Sequence, residues 1–76
     1  STLTVPFELP FTGEIIFTIY DVMGRQLYKR IQNYNRGKNC FILKTTNARE
    51  QLSSGRYFLE YMYNSRKFTQ KVVLLR

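Results

Sequence analysis

Apolar and polar residues alternate along most of the chain, the period-two pattern of strands with one buried face. In the first ten residues the apolar positions share one parity: Leu3, Val5, Phe7 and Leu9. Pro6 cannot donate to a backbone ladder, which indicates an edge strand. Residues 10–13 predict a turn, and the alternation resumes at Ile15. The pattern therefore predicts a hairpin between the first two strands.

The middle of the chain predicts two more strands. Residues 21–24, Asp-Val-Met-Gly, favour a tight connection, because Asp can bond its own backbone and Gly accepts a positive φ. A strand over residues 25–31 follows. Residues 33–39 are polar and rich in turn formers, so they predict a loop before a strand over residues 40–44. Mid-strand Cys40 is expected to be a small core residue.

The last third shows the clearest β pattern. Residues 47–52 could form one helical or 3₁₀ turn that places Leu52 in the core. Two β-rich runs follow over residues 56–63 and 66–75, joined by a two-residue turn at residues 64–65. About six or seven short strands joined by Gly, Asn and Pro turns predict an all-β, antiparallel sandwich formed by one domain over residues 1–76.

The terminal strand contains more apolar residues than one buried face needs. Val72, Val73, Leu74 and Leu75 are consecutive, and a strand places two of four such residues on each face. Two interpretations remain open. A neighbouring loop or a host domain covers the outer pair, or the strand is a docking element that pairs with a receptor by strand addition.

Composition excludes several kinds of site. The chain has 12 Lys and Arg against 5 Asp and Glu, a net charge of +7, which attracts phosphate-bearing partners. The basic residues are scattered, however: only Lys29-Arg30 and Arg66-Lys67 are adjacent, and no run of five like charges occurs, so nucleic-acid binding is not predicted. With a single cysteine, Cys40, and no histidine, we expect no internal disulfide and no metal site.

Catalytic chemistry is not indicated either. No His is present to activate a nucleophile, the five acidic residues lie far apart in sequence, and each glycine is an isolated turn residue. We therefore expect no catalytic residues and no cofactor. No apolar run is long enough to span a bilayer, and the first residues lack the features of a signal peptide, so export would require a signal elsewhere in a longer protein.

Four blocks of the chain resemble one known family in order. The stretch 4–13 is similar to a T-x-x-F-x-L-P-x-x-G opening, and 19–27 to a hairpin with Y-D-x-x-G-R. Further on, 52–58 is similar to L-S-x-G-x-Y, and 71–76 to a closing basic-then-aliphatic strand. The chain thus resembles the C-terminal sorting domain of cargo proteins exported by the type IX secretion system of Bacteroidota.

The resemblance implies an immunoglobulin-like sandwich of about seven strands and a non-catalytic secretion signal. It implies three partners: a passenger domain on the N-terminal side, the outer-membrane translocon, and a surface sortase that removes or processes the domain. The expected route runs through the periplasm to the cell surface or the medium, without membrane insertion. Self-association through a free edge strand is expected to be weak.

The resemblance also assigns residues. The family's terminal recognition motif falls on Lys71, Val72, Val73, Leu74, Leu75 and Arg76. The family's motif glycines, arginine and tyrosine fall on Gly24, Arg25, Gly55 and Tyr57, where we expect scaffold roles. An alternative function is an accessory adhesion or carbohydrate-binding sandwich appended to a surface enzyme.

Overall fold

The computed structural model describes residues 2–44 and 52–75. They form six β-strands and no helix: β1 Thr2–Leu9, β2 Gly13–Tyr20, β3 Gln26–Tyr34, β4 Gly37–Lys44, β5 Gly55–Tyr63 and β6 Arg66–Leu74. The predicted helical turn at 47–52 lies outside the described residues except for Leu52, which is buried in the core as expected. The all-β prediction is confirmed.

The strands form two antiparallel sheets, one with the order β1-β4 and one with the order β3-β2-β5-β6. Aromatic side chains join the sheets. Phe17 of β2 stacks on Phe41 of β4 with ring centroids 4.2 Å apart, and Phe7 of β1 lies 6.5 Å from the ring of Tyr61 on β5. The predicted sandwich is confirmed, with six strands in the described residues where the family resemblance implied about seven.

The core lies between the sheets and uses alternate residues of the strands. Its largest fully buried side chains are Phe17, Phe41, Ile15, Ile19 and Leu59. Burial of these side chains is the main stabilising term, since each large apolar side chain contributes about 1.5–3 kcal/mol.

The predicted β1–β2 hairpin is wrong. β1 pairs with β4, from Thr2↔Lys44 to Leu9↔Gly37, whereas β2 pairs with β3 and β5. The connection at residues 10–12 passes from one sheet to the other, and the Tyr63 hydroxyl donates a 2.9 Å hydrogen bond to the carbonyl of Phe11 there. Alternation identified both strands correctly, but it reports which face is buried and not which strand is the partner.

The loop predicted over residues 33–39 is also wrong. β3 continues to Tyr34 and β4 begins at Gly37, so only residues 35–36 connect them. Polar residues lie there within strands because both β3 and β4 are edge strands that face solvent. Cys40 is exposed, not a core residue, because Phe41 and Leu43 occupy the inward parity of β4.

Both predicted tight turns are confirmed. β2 and β3 are joined through the Asp21–Gly24 segment, in which Gly24 has a φ of 84°. β5 and β6 are joined by Asn64 and Ser65, whose φ values of 50° and 63° give the turn the twist that suits antiparallel strands.

Candidate functional site

The terminal strand β6 forms one edge of the four-stranded sheet. Its last residues alternate as predicted. Val72 and Leu74 are 9% and 5% exposed and belong to the core, while Val73 and Leu75 are 65% and 80% exposed. The strand is therefore anchored by one apolar pair and presents the other pair to solvent.

The first part of β6 is exposed on both faces, from Arg66 through Lys71. The reason lies in the opposite sheet, whose two strands cover the other side of the sandwich. The Arg30 guanidinium of β3 donates a 3.0 Å hydrogen bond to the carbonyl of Ile42 on β4, and Phe7 of β1 lies against Tyr61 of β5. The two-stranded sheet thus lies over β3, β2 and β5, and leaves this part of β6 uncovered.

An open groove of about 630 Å³ lies between β1 and the β5–β6 hairpin. Five of its eleven lining residues are aromatic, and Phe68 of β6 stacks on Tyr61 with centroids 5.2 Å apart. The groove is lined by Pro6, Phe7, Glu8, Leu9, Pro10, Phe11, Tyr61, Tyr63, Asn64, Arg66 and Phe68. We call this surface the aromatic groove.

The basic residues divide between the two faces of the larger sheet. Of the adjacent pair Lys29 and Arg30, Arg30 points inward, with its guanidinium 5.0 Å from the ring centroid of Phe41, and Lys29 is exposed. On β6, Lys67 and Lys71 share the outer parity with exposed Val73. The outer face of β6 is therefore cationic and partly apolar.

Gly24 and Arg25 lie in the β2–β3 turn, where Asp21 holds the backbone. The Asp21 carboxylate accepts hydrogen bonds from the backbone N–H groups of Met23 and Arg25, both at 2.9 Å, and from the Arg25 guanidinium at 2.7 Å. These bonds, above all the one from the Arg25 backbone, hold the pKa of Asp21 below its ordinary value. Arg25 is thus bound to its own turn.

Gly55 and Tyr57 lie at the start of β5. Tyr57 is opposite Val72 in the β5–β6 ladder, and its hydroxyl donates a 2.6 Å hydrogen bond to the carbonyl of Ser53. This bond ties the segment before β5 to the strand, as the tyrosine corner does in immunoglobulin-like sandwiches. Gly55 is opposite Leu74, and a Cβ at position 55 would lie 3.9 Å from the Tyr57 ring, at ordinary contact distance.

The register brings these assigned residues to one end of the four-stranded sheet. Tyr20, the last residue of β2, is opposite Phe58 near the start of β5, and Phe58 is opposite Lys71 near the end of β6. The β2–β3 turn, the first residues of β5 and the last residues of β6 are therefore at the same end. Arg76, also assigned, lies outside the described residues.

Comparison with protein families gives a match over residues 1–75 to the family described as "Secretion system C-terminal sorting domain". The chain belongs to this family. No curated protein and no solved structure matches the chain significantly.

Membership identifies the chain as a type IX C-terminal sorting signal, as the sequence motifs implied. It implies interaction with the type IX secretion machinery and with a passenger protein, and export to the cell surface or into the medium. Sorting domains of this kind are generally non-catalytic.

The described residues of the sorting domain contain neither a metal-binding cluster nor a membrane-spanning helix. Across residues 2–44 and 52–75, no three His, Cys, Asp or Glu side chains are grouped so that they could bind a metal ion. Within the same residues no helix has the length and apolar character needed to cross a membrane.

Sequence reasoning missed the aromatic groove and the open part of β6. Phe68 has the parity of a core residue but is 44% exposed, and the equally missed Phe11 is 64% exposed. The sequence did contain a signal for the open part of β6. Residues 64–67 and 69–71 are all polar, and a segment with so few apolar residues is not expected to have a continuous buried face.

Proposed function

We propose that the sorting domain is recognised by the type IX translocon through the end of β6, at Lys71, Val72, Val73, Leu74, Leu75 and Arg76. The domain itself catalyses no reaction. It accompanies a passenger from the periplasm through the outer membrane, and a surface sortase then removes or processes it.

The observation that carries the proposal is the alternation at the end of an edge strand. Val72 and Leu74 are buried, which fixes the position and orientation of the strand. Val73 and Leu75 are then presented to solvent at 65% and 80% exposure, at the end of a strand that pairs with β5 on one edge and with no described strand on the other. Exposed apolar side chains on a rigid edge are suited to protein recognition.

Gly24, Arg25, Gly55 and Tyr57 act in this proposal as scaffold. Gly24 supplies a positive φ that few other residues adopt, and Arg25 closes the turn through Asp21. Tyr57 supports the strand that carries Val72. Their substitution would reduce export by loosening this end of the sheet.

The test is export of a fluorescent reporter that carries an N-terminal signal peptide and this chain at its C-terminus. We expect surface or medium fluorescence in a type IX-competent bacterium and periplasmic retention in its translocon-null mutant. Periplasmic retention in both strains would contradict the proposal.

The role of the terminal strand is tested by replacing Val73 and Leu75 with Ser in the same reporter. We expect export to fall to the level of a chain lacking residues 71–76. The matched control replaces Val22 and Met23, which are 64% and 78% exposed in the β2–β3 turn, with Ser. Equal export from the two double variants would exclude recognition through the exposed pair.

The aromatic groove favours a second candidate, an accessory carbohydrate-binding or adhesion module. Phe11 and Phe68 are exposed beside the half-buried ring of Tyr61, and sugars stack on such exposed rings. Binding of the chain to soluble polysaccharides, measured by affinity electrophoresis and lost on Phe68→Ala, would support this function. Unchanged migration with every polysaccharide would exclude it.

A further inference from the structure

The free edge of β6 presents main-chain hydrogen-bonding groups in a fixed order. The turn between β5 and β6 closes on the pair Tyr63↔Arg66, and a two-residue turn closes on residues that exchange both backbone hydrogen bonds. Such pairs recur at every second residue. The N–H and C=O groups of Lys67, Thr69, Lys71 and Val73 therefore face away from β5, and no described strand pairs with them.

Among the strands that the structure describes, the other three sheet edges are obstructed. On β1, Pro6 has no N–H to offer. On β4, the carbonyl of Ile42 already accepts a hydrogen bond from Arg30. On β3, the register shifts opposite Ile19 and Tyr20 and leaves Leu27 as an extra residue, a bulge of the kind that disrupts edge pairing. β6 contains no proline, and its pairing with β5 is regular.

Charge decides which strand fits the β6 edge. If the β6 strands of two copies paired antiparallel about Thr69, Lys67 of each copy would be opposite Lys71 of the other. If they paired about Lys71, the two copies of Lys71 would be opposite each other. Like charges in opposite positions are destabilising, whereas opposite charges contribute about 0.2–1 kcal/mol per pair. A second copy of this chain is therefore disfavoured, and an acidic strand is favoured.

The inner side of the same edge is open, and it presents the ring of Phe68 between the polar side chains of Arg66 and Gln70. Phe68 is 44% exposed and borders the aromatic groove, because the two-stranded sheet does not extend over this part of β6. A strand added beside β6 would alternate, with one row of side chains on the cationic outer face and the other row above Phe68.

We propose that β6 binds its partner by strand addition, and that the partner strand carries acidic side chains opposite Lys67 and Lys71 and an apolar side chain beside Phe68. This inference rests on the proposed sorting function for the identity of the partner as a secretion component. The binding mode itself is measurable on the chain alone.

The first test uses fluorescein-labelled synthetic peptides that alternate Val with Glu or Val with Lys. Fluorescence anisotropy with the 76-residue chain should show binding of the Val–Glu peptide at least about tenfold tighter than binding of the Val–Lys peptide, as expected for two reversed charge pairs. Equal affinity, or no binding of the Val–Glu peptide, would overturn the proposal.

Three variants separate strand addition from a structural effect. Thr69→Pro removes one donor of the free edge without breaking the β5 ladder, and Ile31→Pro does the same at the free edge of β3. We expect only Thr69→Pro to lose the Val–Glu peptide. The variant Lys67→Glu/Lys71→Glu should reverse the order of affinities and bind the Val–Lys peptide more tightly than the Val–Glu peptide. A loss of folding cannot produce this reversal. An unchanged order of affinities would overturn the proposal.

The export reporter distinguishes failure of this inference from failure of the sorting function. The matched control for Lys67→Glu/Lys71→Glu is Lys29→Glu/Lys44→Glu, which reverses two exposed lysines on β3 and β4. Export of the control with retention of the β6 variant would support the inference. Equal export of both would overturn strand addition and leave the sorting function standing, whereas retention of the unaltered chain would contradict the sorting function itself.

Discussion

Asp21 organises the β2–β3 turn through its backbone and its side chain. Its backbone carbonyl accepts a 3.0 Å hydrogen bond from Gly24, and its carboxylate accepts three more from Met23 and Arg25. The charged form makes the better acceptor, so folding favours the carboxylate and lowers its pKa. The turn is therefore sensitive to acid.

We predict that this turn contributes stability above about pH 4 and that the contribution is lost as the pH falls through the lowered pKa of folded Asp21. Urea unfolding at neutral pH and near pH 3 measures it. Asp21→Asn should show a smaller acid-induced loss than the unaltered chain, whereas Glu14→Gln, an exposed carboxylate on β2, is the matched control. Equal acid-induced losses in the unaltered chain and Asp21→Asn would exclude the carboxylate as the source.

The Tyr57 hydroxyl is the second decisive group at the residue scale. Tyr57→Phe keeps the buried ring and removes the 2.6 Å bond to the Ser53 carbonyl. We expect the free energy of unfolding to fall by about 1 kcal/mol in urea titrations. Tyr20→Phe is the control, since the Tyr20 hydroxyl makes no hydrogen bond with any described residue; a similar loss in both variants would refute this role for Tyr57.

At the scale of elements, the β5–β6 hairpin combines a strained turn with a regular ladder. Asn64 and Ser65 both have positive φ, a conformation that Gly adopts without steric cost. Ser65→Gly should therefore stabilise the chain by about 0.5–1 kcal/mol, measured by urea unfolding. Ser65→Ala keeps the Cβ and should give no gain, so a similar gain from Ala would mean that the backbone conformation is not the cause.

β6 itself consists of two halves with different surroundings. Its last residues are held by Val72 and Leu74 in the core, whereas residues 66–71 are exposed on both faces. The anchored half fixes the direction of the strand, and the open half leaves its edge accessible. This division suits an element that must be rigid and still available to a partner.

At the scale of the whole molecule, stability depends on the aromatic contact between the sheets. Phe17 is fully buried and stacks on Phe41 at 4.2 Å. A domain of this length is stable by about 4–11 kcal/mol in total. Few buried side chains can therefore be lost before the domain unfolds.

We predict that Phe17→Ala lowers the free energy of unfolding by about 3–5 kcal/mol, a large share of the total. Far-UV circular dichroism during thermal unfolding measures the change. Phe11→Ala makes the same deletion at a ring that is 64% exposed and should cost much less. Comparable losses would show that Phe17 is not part of a packed core.

The sequence by itself determined the strands, both tight turns and the alternation at the end of β6. These features depend on neighbouring residues. Val72 and Leu74 are buried and Val73 and Leu75 exposed because side chains in any strand alternate. The Asp21 turn follows from a side chain that bonds the backbone within four residues of itself.

The tertiary structure alone decided that β1 pairs with β4, that Cys40 faces solvent and that half of β6 is open. Each depends on how two sheets of unequal width are placed against each other. Phe68 and Leu59 both have inward parity in adjacent strands, yet Leu59 is fully buried and Phe68 is 44% exposed. The opposite sheet reaches β5 and does not reach the first half of β6, and no local pattern of residues encodes that boundary.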